Sequence, residues 1–212
     1  KFSIAQFFRL HARQNRPRIF FAGQNDCASG NIPYDDKAKT FHSPVFASTH
    51  DALLFLDGIA AKNDWTIFYK PHPATIVNNP KVTFTLKATV VINQCDVHEI
   101  INLTDVTVTI LSQTAYVALI MRKPVVMLGY TQLRYSSSTY NAFEQDDIED
   151  TIKQAVAQGF TSEQQAHFIK HVALLSKYYL VDDLQKKDFS YRSIDKATDM
   201  LSMRNPAWLA VT

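Results

Sequence analysis

Glycine is scarce: there are 5 in 212 residues, Gly23, Gly30, Gly58, Gly129 and Gly159. That scarcity removes two phosphate-cradling devices at once. There is no G-x-G-x-x-G dinucleotide fingerprint and no glycine-rich loop ending in Gly-Lys-Ser/Thr. A G-x-S-x-G nucleophile turn is missing as well. Cysteine is scarcer still. Cys27 and Cys95 lie far apart with no C-x-x-C spacing, which reads as two reduced thiols rather than a disulfide framework or a zinc site. The 7 histidines include no H-E-x-x-H pair and no ligand-type spacing, so no metal and no cofactor is expected.

Neither sign of charge dominates. The 22 Lys and Arg against 20 Asp and Glu leave +2, which argues against duplex nucleic acid or an anionic membrane as a bulk electrostatic partner. The 9 tyrosines and 14 phenylalanines lack the basic interleaving of a single-strand binder, so no nucleic acid is expected as partner. No apolar run reaches the roughly 20 residues of a membrane span. The longest candidate, residues 115–128, is broken by Arg122, Lys123 and Pro124. Residues 1–10 lack the apolar region and cleavage site of a secretory leader. The chain opens on Lys1 rather than Met, so an excised segment with a missing partner domain is kept as an expectation.

What is present is ordinary globular chemistry, 46% hydrophobic and 20% charged, in a chain long enough to bury a core. Residues 4–13 read as a short helix ended before Pro17, and residues 1–16 as a linker. Short near-continuous apolar runs follow at 18–22, 65–69, 89–93, 106–111 and 125–128. Helical patterns alternate with them: from Pro44, capped by Ser43, to about Lys62; from Asp96 to about Leu103; and over 114–121. Strands that are apolar throughout are covered on both faces, so the expectation is an α/β fold with a parallel sheet and helices on both sides. Residues 24–43 and 131–141 read as loops, and residues 147–158, 162–180 and 193–203 as helices. The domain reading is a Rossmann-like unit over 17–145, with C-terminal helices over 146–212 packing on it.

In such sheets ligands bind beyond the carboxyl ends of the strands. Four segments lie there: Gly23-Gln24-Asn25-Asp26, Lys70-Pro71-His72-Pro73, Ser112-Gln113-Thr114 and Gly129-Tyr130. In Lys70–Pro73 two prolines hold the backbone extended and fix the direction of His72. An imidazole N–H and the compact Lys70 charge suit a phosphate oxygen. The same tetrapeptide also suits a plain strand-terminating turn. Ser112-Gln113-Thr114 opens a helix, where hydroxyls and backbone N–H groups either bind phosphate or merely cap. Asp96 and Glu99 open the preceding helix, as ribose acceptors or as a cap with a favourable first-turn charge. Asp26, Asp35 and Asp36 either face an acceptor or are solvated turn residues.

Order and spacing of these pieces resemble the bacterial capsule-polysaccharide biosynthesis family, which includes Kdo transferases of GT-B architecture, and more distantly the bacterial sialyltransferases. Four segments carry the resemblance: residues 19–24 (Ile-Phe-Phe-Ala-Gly-Gln), 67–73 (Ile-Phe-Tyr-Lys-Pro-His-Pro), 97–105 and 108–128, the last holding the serine motif and Lys-Pro-Val-Val. The resemblance spans roughly residues 18–130. It implies a GT-B C-terminal, donor-binding domain followed by a helical segment. It implies donor-phosphate binding by Lys70, His72, Ser112, Gln113 and Thr114, and nucleotide or ribose binding by Gln24, Asp96 and Glu99. The donor implied is a CMP-activated acidic sugar such as CMP-Kdo, and the acceptor a glycan. Transfer with inversion would then use His72 on the leaving phosphate and Asp26 as the in-chain candidate base. The implied location is cytoplasmic, with peripheral attachment at the inner membrane as an option.

Gln113, Val117 and Arg122 depart from the family's usual threonine, glutamate and glycine. Two alternatives therefore stand beside the enzyme: a non-catalytic domain binding a nucleotide or a partner, and a CDP-polyol phosphotransferase of teichoic-acid type.

Overall fold

A computed structural model of the chain describes residues 3–13, 15–78 and 85–179. Within these, six strands form one parallel sheet in the order β3-β2-β1-β4-β5-β6. They are β1 (Arg18–Ala22), β2 (Thr66–Lys70), β3 (Thr89–Val91), β4 (Val106–Thr109), β5 (Val125–Met127) and β6 (Tyr140–Asn141). The helices are α1 (Ile4–His11), α2 (Asp36–Phe41), α3 (Thr49–Asn63), α4 (Pro73–Asn78), α5 (Val97–Leu103), α6 (Thr114–Ile120), α7 (Ile148–Gln158) and α8 (Ser162–Leu174). The helix expected over residues 193–203 lies outside the described residues.

Side chains alternate across each strand and so divide the core in two. On one face Ile19, Phe21, Ile67, Val106, Val108 and Val126 pack against α3 through Leu53, Leu56 and Ile59, and against α7 through Ile148 and Ile152. On the other, Phe20, Phe68, Val125 and Met127 meet Phe8 of α1, Ile100 and Ile101 of α5, Leu119 of α6 and Phe168 of α8. The expected Rossmann-like architecture is thus present, with every strand parallel to its neighbours.

Several local expectations are corrected. The helix expected from Pro44 starts at Thr49, because Ser48 rather than Ser43 is its cap: the Ser48 hydroxyl accepts from Asp51 N at 3.1 Å. Ser43 is buried instead and braces the turn before it, accepting from Phe46 N and donating to Phe46 O. The 24–43 loop contains α2, whose first turn Asp35 caps by accepting from Ala38 N at 2.9 Å. The loop expected over 131–141 ends in the edge strand β6. The helix expected over 162–180 is α-helical only to Leu174, then widens into a π-turn over Leu175–Tyr179. The segment taken as a linker packs on the sheet: Phe8 is fully buried and stacks on Phe68 with ring centroids 3.8 Å apart. Arg13 and Arg16 close its far end by pairing with Asp64.

Chain order reverses about β1. The chain steps outward from β1 to β2 and β3, and α3 covers the first face on the way. It then crosses back through α5 on the opposite face to β4. Connections therefore diverge at the carboxyl ends of β1 and β4, and a crevice opens between them. This is the topological switch point where open α/β sheets bind ligands.

Candidate functional site

The crevice at the switch point is a cavity of about 560 Å³. Three strand ends line it: Gly23, Gln24 and Asn25 after β1, Lys70 to Pro73 after β2, and Leu111 to Thr114 after β4. Three of the four segments expected along one edge meet there, while Gly129-Tyr130 is not among the lining residues. Among the described lining residues there is no carboxylate, and Lys70 is the sole Lys or Arg. The cavity's fixed charge is therefore positive, which selects for an anionic group.

Gly23 brings the walls together. Its N–H donates to Lys70 O at 2.9 Å, and an added Cβ would lie 3.0 Å from that oxygen and 3.1 Å from the Tyr69 hydroxyl. Only a residue without a side chain lets the β1 exit run this close to the β2 exit. Tyr69 is held as a neutral phenol, pushed up to about 12 by burial and then by the nearby Asp26 charge.

His72 is oriented by the turn that Pro71 and Pro73 enforce. The Ala74 N–H donates to His72 Nδ1 at 3.2 Å, while Thr75 N and the Thr75 hydroxyl both donate to His72 O. An Nδ1 that accepts a backbone N–H carries no proton, so the neutral ring bears its hydrogen on Nε2. The imidazole in this cavity wall is thus a hydrogen-bond donor, the form an oxyanion needs.

Across the cavity the serine motif is internally tied. The Ser112 hydroxyl donates to Thr114 Oγ1 at 3.0 Å and accepts from Thr114 N at 3.2 Å, while Ser112 N donates to Thr109 Oγ1. Thr109 in turn donates to Ala22 O at 3.1 Å, which binds the motif to the end of β1. Gln113 makes no side-chain cap and is exposed.

Gln24 and Asp26 form the connection that the sequence did not reveal. Gln24 is 4% exposed; its Oε1 accepts from Leu111 N at 2.8 Å and its Nε2 donates to Asp26 Oδ1 at 2.9 Å. Asp26 also accepts from Thr49 N at 2.9 Å and from the Thr49 hydroxyl at 2.8 Å. Both carboxylate oxygens are engaged, and Asp26 is not among the cavity's lining residues. It anchors the start of α3 and orients Gln24, and is not placed to take a proton from a ligand in the cavity.

Asp96 and Glu99 also stand apart from the lining. Asp96 caps α5, accepting from His98 N at 2.7 Å and pairing with His98 Nδ1 at 2.8 Å. Those bonds, with His98 and Lys70 adding attraction, hold its carboxyl below the usual range. Glu99 accepts from the Cys95 thiol at 3.6 Å. Burial first, then this carboxylate, push Cys95 up to about 11, so it is a thiol and no nucleophile. Only Val97 of this helix reaches the cavity wall. Cys27 and Cys95 are both free. Among the described residues no helix is long and apolar enough to cross a membrane.

No family model matches the chain, and no curated protein matches it. Solved structures do. One is the β-Kdo 2,7-transferase of Thermosulfurimonas dismutans KpsC, at 21% identity and a TM-score of 0.44 over 67% of this chain and 45% of that one. Another is a variant of the wall teichoic acid polymerase TagF, at 16% identity and a TM-score of 0.49 over 94% of this chain and 48% of that one. The chain spans less than half the length of either protein.

Proposed function

We propose that this chain is the donor-binding lobe of a glycosyltransferase of bacterial surface-polysaccharide synthesis, and that its donor is a CMP-activated sugar such as CMP-Kdo. The observation that carries the reading is the switch-point cavity. A lysine, a histidine fixed as an Nε2–H donor and the Ser112–Thr114 hydroxyls converge on it from opposite sides, with no carboxylate among its described lining residues. Such a wall stabilises the phosphate that departs when the glycosidic bond to the donor breaks. The one fixed cation among the described lining residues suits the single phosphate of a CMP-linked sugar better than a diphosphate. The motif resemblance over residues 18–130 supports the same choice. The acceptor glycan and a second lobe complete the proposed enzyme.

The second reading, a binding domain with no catalysis of its own, rests on the engagement of both Asp26 oxygens, which leaves no carboxylate base among the described residues that line the cavity.

A thermal-shift series with CMP, CDP, UDP, GDP and ADP tests the binding claim, because a ligand specific to the folded state raises Tm. CMP should stabilise the wild type and leave His72→Ala unmoved. If no nucleotide shifts the wild type, the donor-site reading is wrong. If CMP binds through His72 and the full-length enzyme still transfers sugar after the same substitution, the binding-only reading replaces it.

A further inference from the structure

We propose that Arg134 binds the carboxylate of the sugar carried on the donor, a specificity contact on the far side of the serine motif. This rests on reading the Lys70–His72 cavity as a donor site.

Arg134 lies in the loop after β5, pinned by its own N–H to Thr131 O at 3.0 Å. Its guanidinium carbon sits 3.6 Å from the centre of the Tyr130 ring, 5.1 Å from Tyr135 and 5.6 Å from Phe143. Tyr130 is itself braced edge-on by Phe143, centroids 4.7 Å apart at 68°. No acidic side chain pairs with Arg134 and no side-chain hydrogen bond uses its donors among the described residues. Arg13 and Arg16, by contrast, are paired with Asp64.

A guanidinium carbon 3.6 Å from a ring centre lies in contact over that ring, so the aromatic face holds the cation in place without using its N–H donors. Its in-plane N–H fork stays open, and that fork matches a planar oxyanion bidentately. Rings around the cation keep it half-buried, where such a pair is stronger than in open water. A phosphate would fit the fork too, but Lys70, His72 and Ser112 already offer donors for that group. The remaining anion on a sugar is its carboxylate. Tyr135, 68% exposed, adds an open aromatic face beside the fork.

Placement ties the cluster to the cavity. Gly129 packs so closely on β4 that a Cβ would lie 3.0 Å from Ile110 O, and Ile110 leads straight into Leu111 and Ser112 of the cavity wall. Tyr130 N donates to His42 O at 2.6 Å, which fixes the loop where it leaves the sheet. In the proposed complex a sugar joined to a phosphate at Ser112 would extend along this edge toward Tyr130 and Arg134, which lie beyond the residues that line the cavity.

Calorimetric titration of the intact chain tests the assignment, with CMP, with CMP-N-acetylneuraminate as a CMP-linked acidic sugar, and with free N-acetylneuraminate in saturating CMP. In the wild type the linked acidic sugar should bind more tightly than CMP. Arg134→Ala should erase that gain, roughly a tenfold loss for one charge-assisted pair, and leave CMP affinity unchanged. Arg134→Lys keeps the charge without the stacked fork and should fall between. CMP affinity also reports that each variant is folded. The assignment is overturned if Arg134→Ala binds the linked sugar as the wild type does, if it loses CMP equally, or if dependence on Arg134 appears only with the free sugar. Failure of the wild type to bind CMP at all refutes the donor-site reading itself, a separate result.

Discussion

Replacing Gln24 by methionine keeps the side chain's volume and deletes both of its hydrogen bonds. The residue is 4% exposed, and it joins Leu111 N to Asp26 across the switch point. Two lost bonds weaken the fold by about 1 kcal/mol each, and stranding the Leu111 N–H away from an acceptor adds about 1 kcal/mol more. The total is about 3 kcal/mol, which for a chain of this size lowers Tm by roughly 6–12 °C. Urea denaturation should show the midpoint falling with an unchanged slope. Asp26→Asn should weaken the same link from its other end, and the double variant should cost less than the two singles together by about 1 kcal/mol, since both act on one bond. CMP affinity should fall with Gln24→Met, because the β1 and β4 exits are no longer tied. A stability change under about 0.5 kcal/mol, the size of an ordinary surface substitution, or strict additivity in the cycle, would refute this account of the pair.

Two further predictions concern the frame. Phe8→Ala should destabilise by about 3–4 kcal/mol, because a buried ring stacked on Phe68 leaves a cavity, and denaturant titration reads it directly. His171, beside the Tyr116 hydroxyl at 2.9 Å, is pushed by burial below its ordinary 6.5. Below pH 6.5 the unfolded chain therefore binds more protons than the folded one. The contribution is present above that pH and lost as pH falls through the folded value. Denaturation midpoints measured from pH 7 to 5 should decline, and His171→Gln should flatten the decline.

The sheet was legible because its strands are short, mostly apolar runs alternating with helical patterns, and the strand-end rule then pointed to Gln24, Lys70, His72 and Ser112 without any contact known. Local chemistry was harder. Ser43-Pro44 imitates a helix start, since proline suits the first helical position, yet Ser48 with Asp51 three residues on is the true cap. The two-residue strand β6 carries no period to detect. The local role of Asp96 as a helix cap was legible, but the distant partners of two other carboxylates were not. Asp26 is bound to Thr49, and Asp57 to Lys87 N, Ala88 N and the Thr89 hydroxyl, and no sequence pattern announces pairs 23 to 32 positions apart. An aspartate in a long loop looks the same whether it awaits a substrate or holds a helix.

That difference decides how the chemistry of the proposed transfer is divided. Breaking the bond to a donor phosphate needs donors for the leaving oxygen, and activating an acceptor hydroxyl needs a group that takes a proton. The cavity supplies the first in His72, Lys70 and the serine motif. It does not supply the second. His72 Nδ1 is occupied by the Ala74 N–H, so its neutral ring has no free lone pair to receive a proton. Asp26 is spent on Gln24 and Thr49 and stands outside the wall, and no carboxylate is among the described lining residues. A base for the proposed reaction must therefore come from outside these lining residues, across the open edge of the sheet where the acceptor would enter. On the proposed reading, such a lobe would bind its donor by itself and would transfer only when that edge is covered.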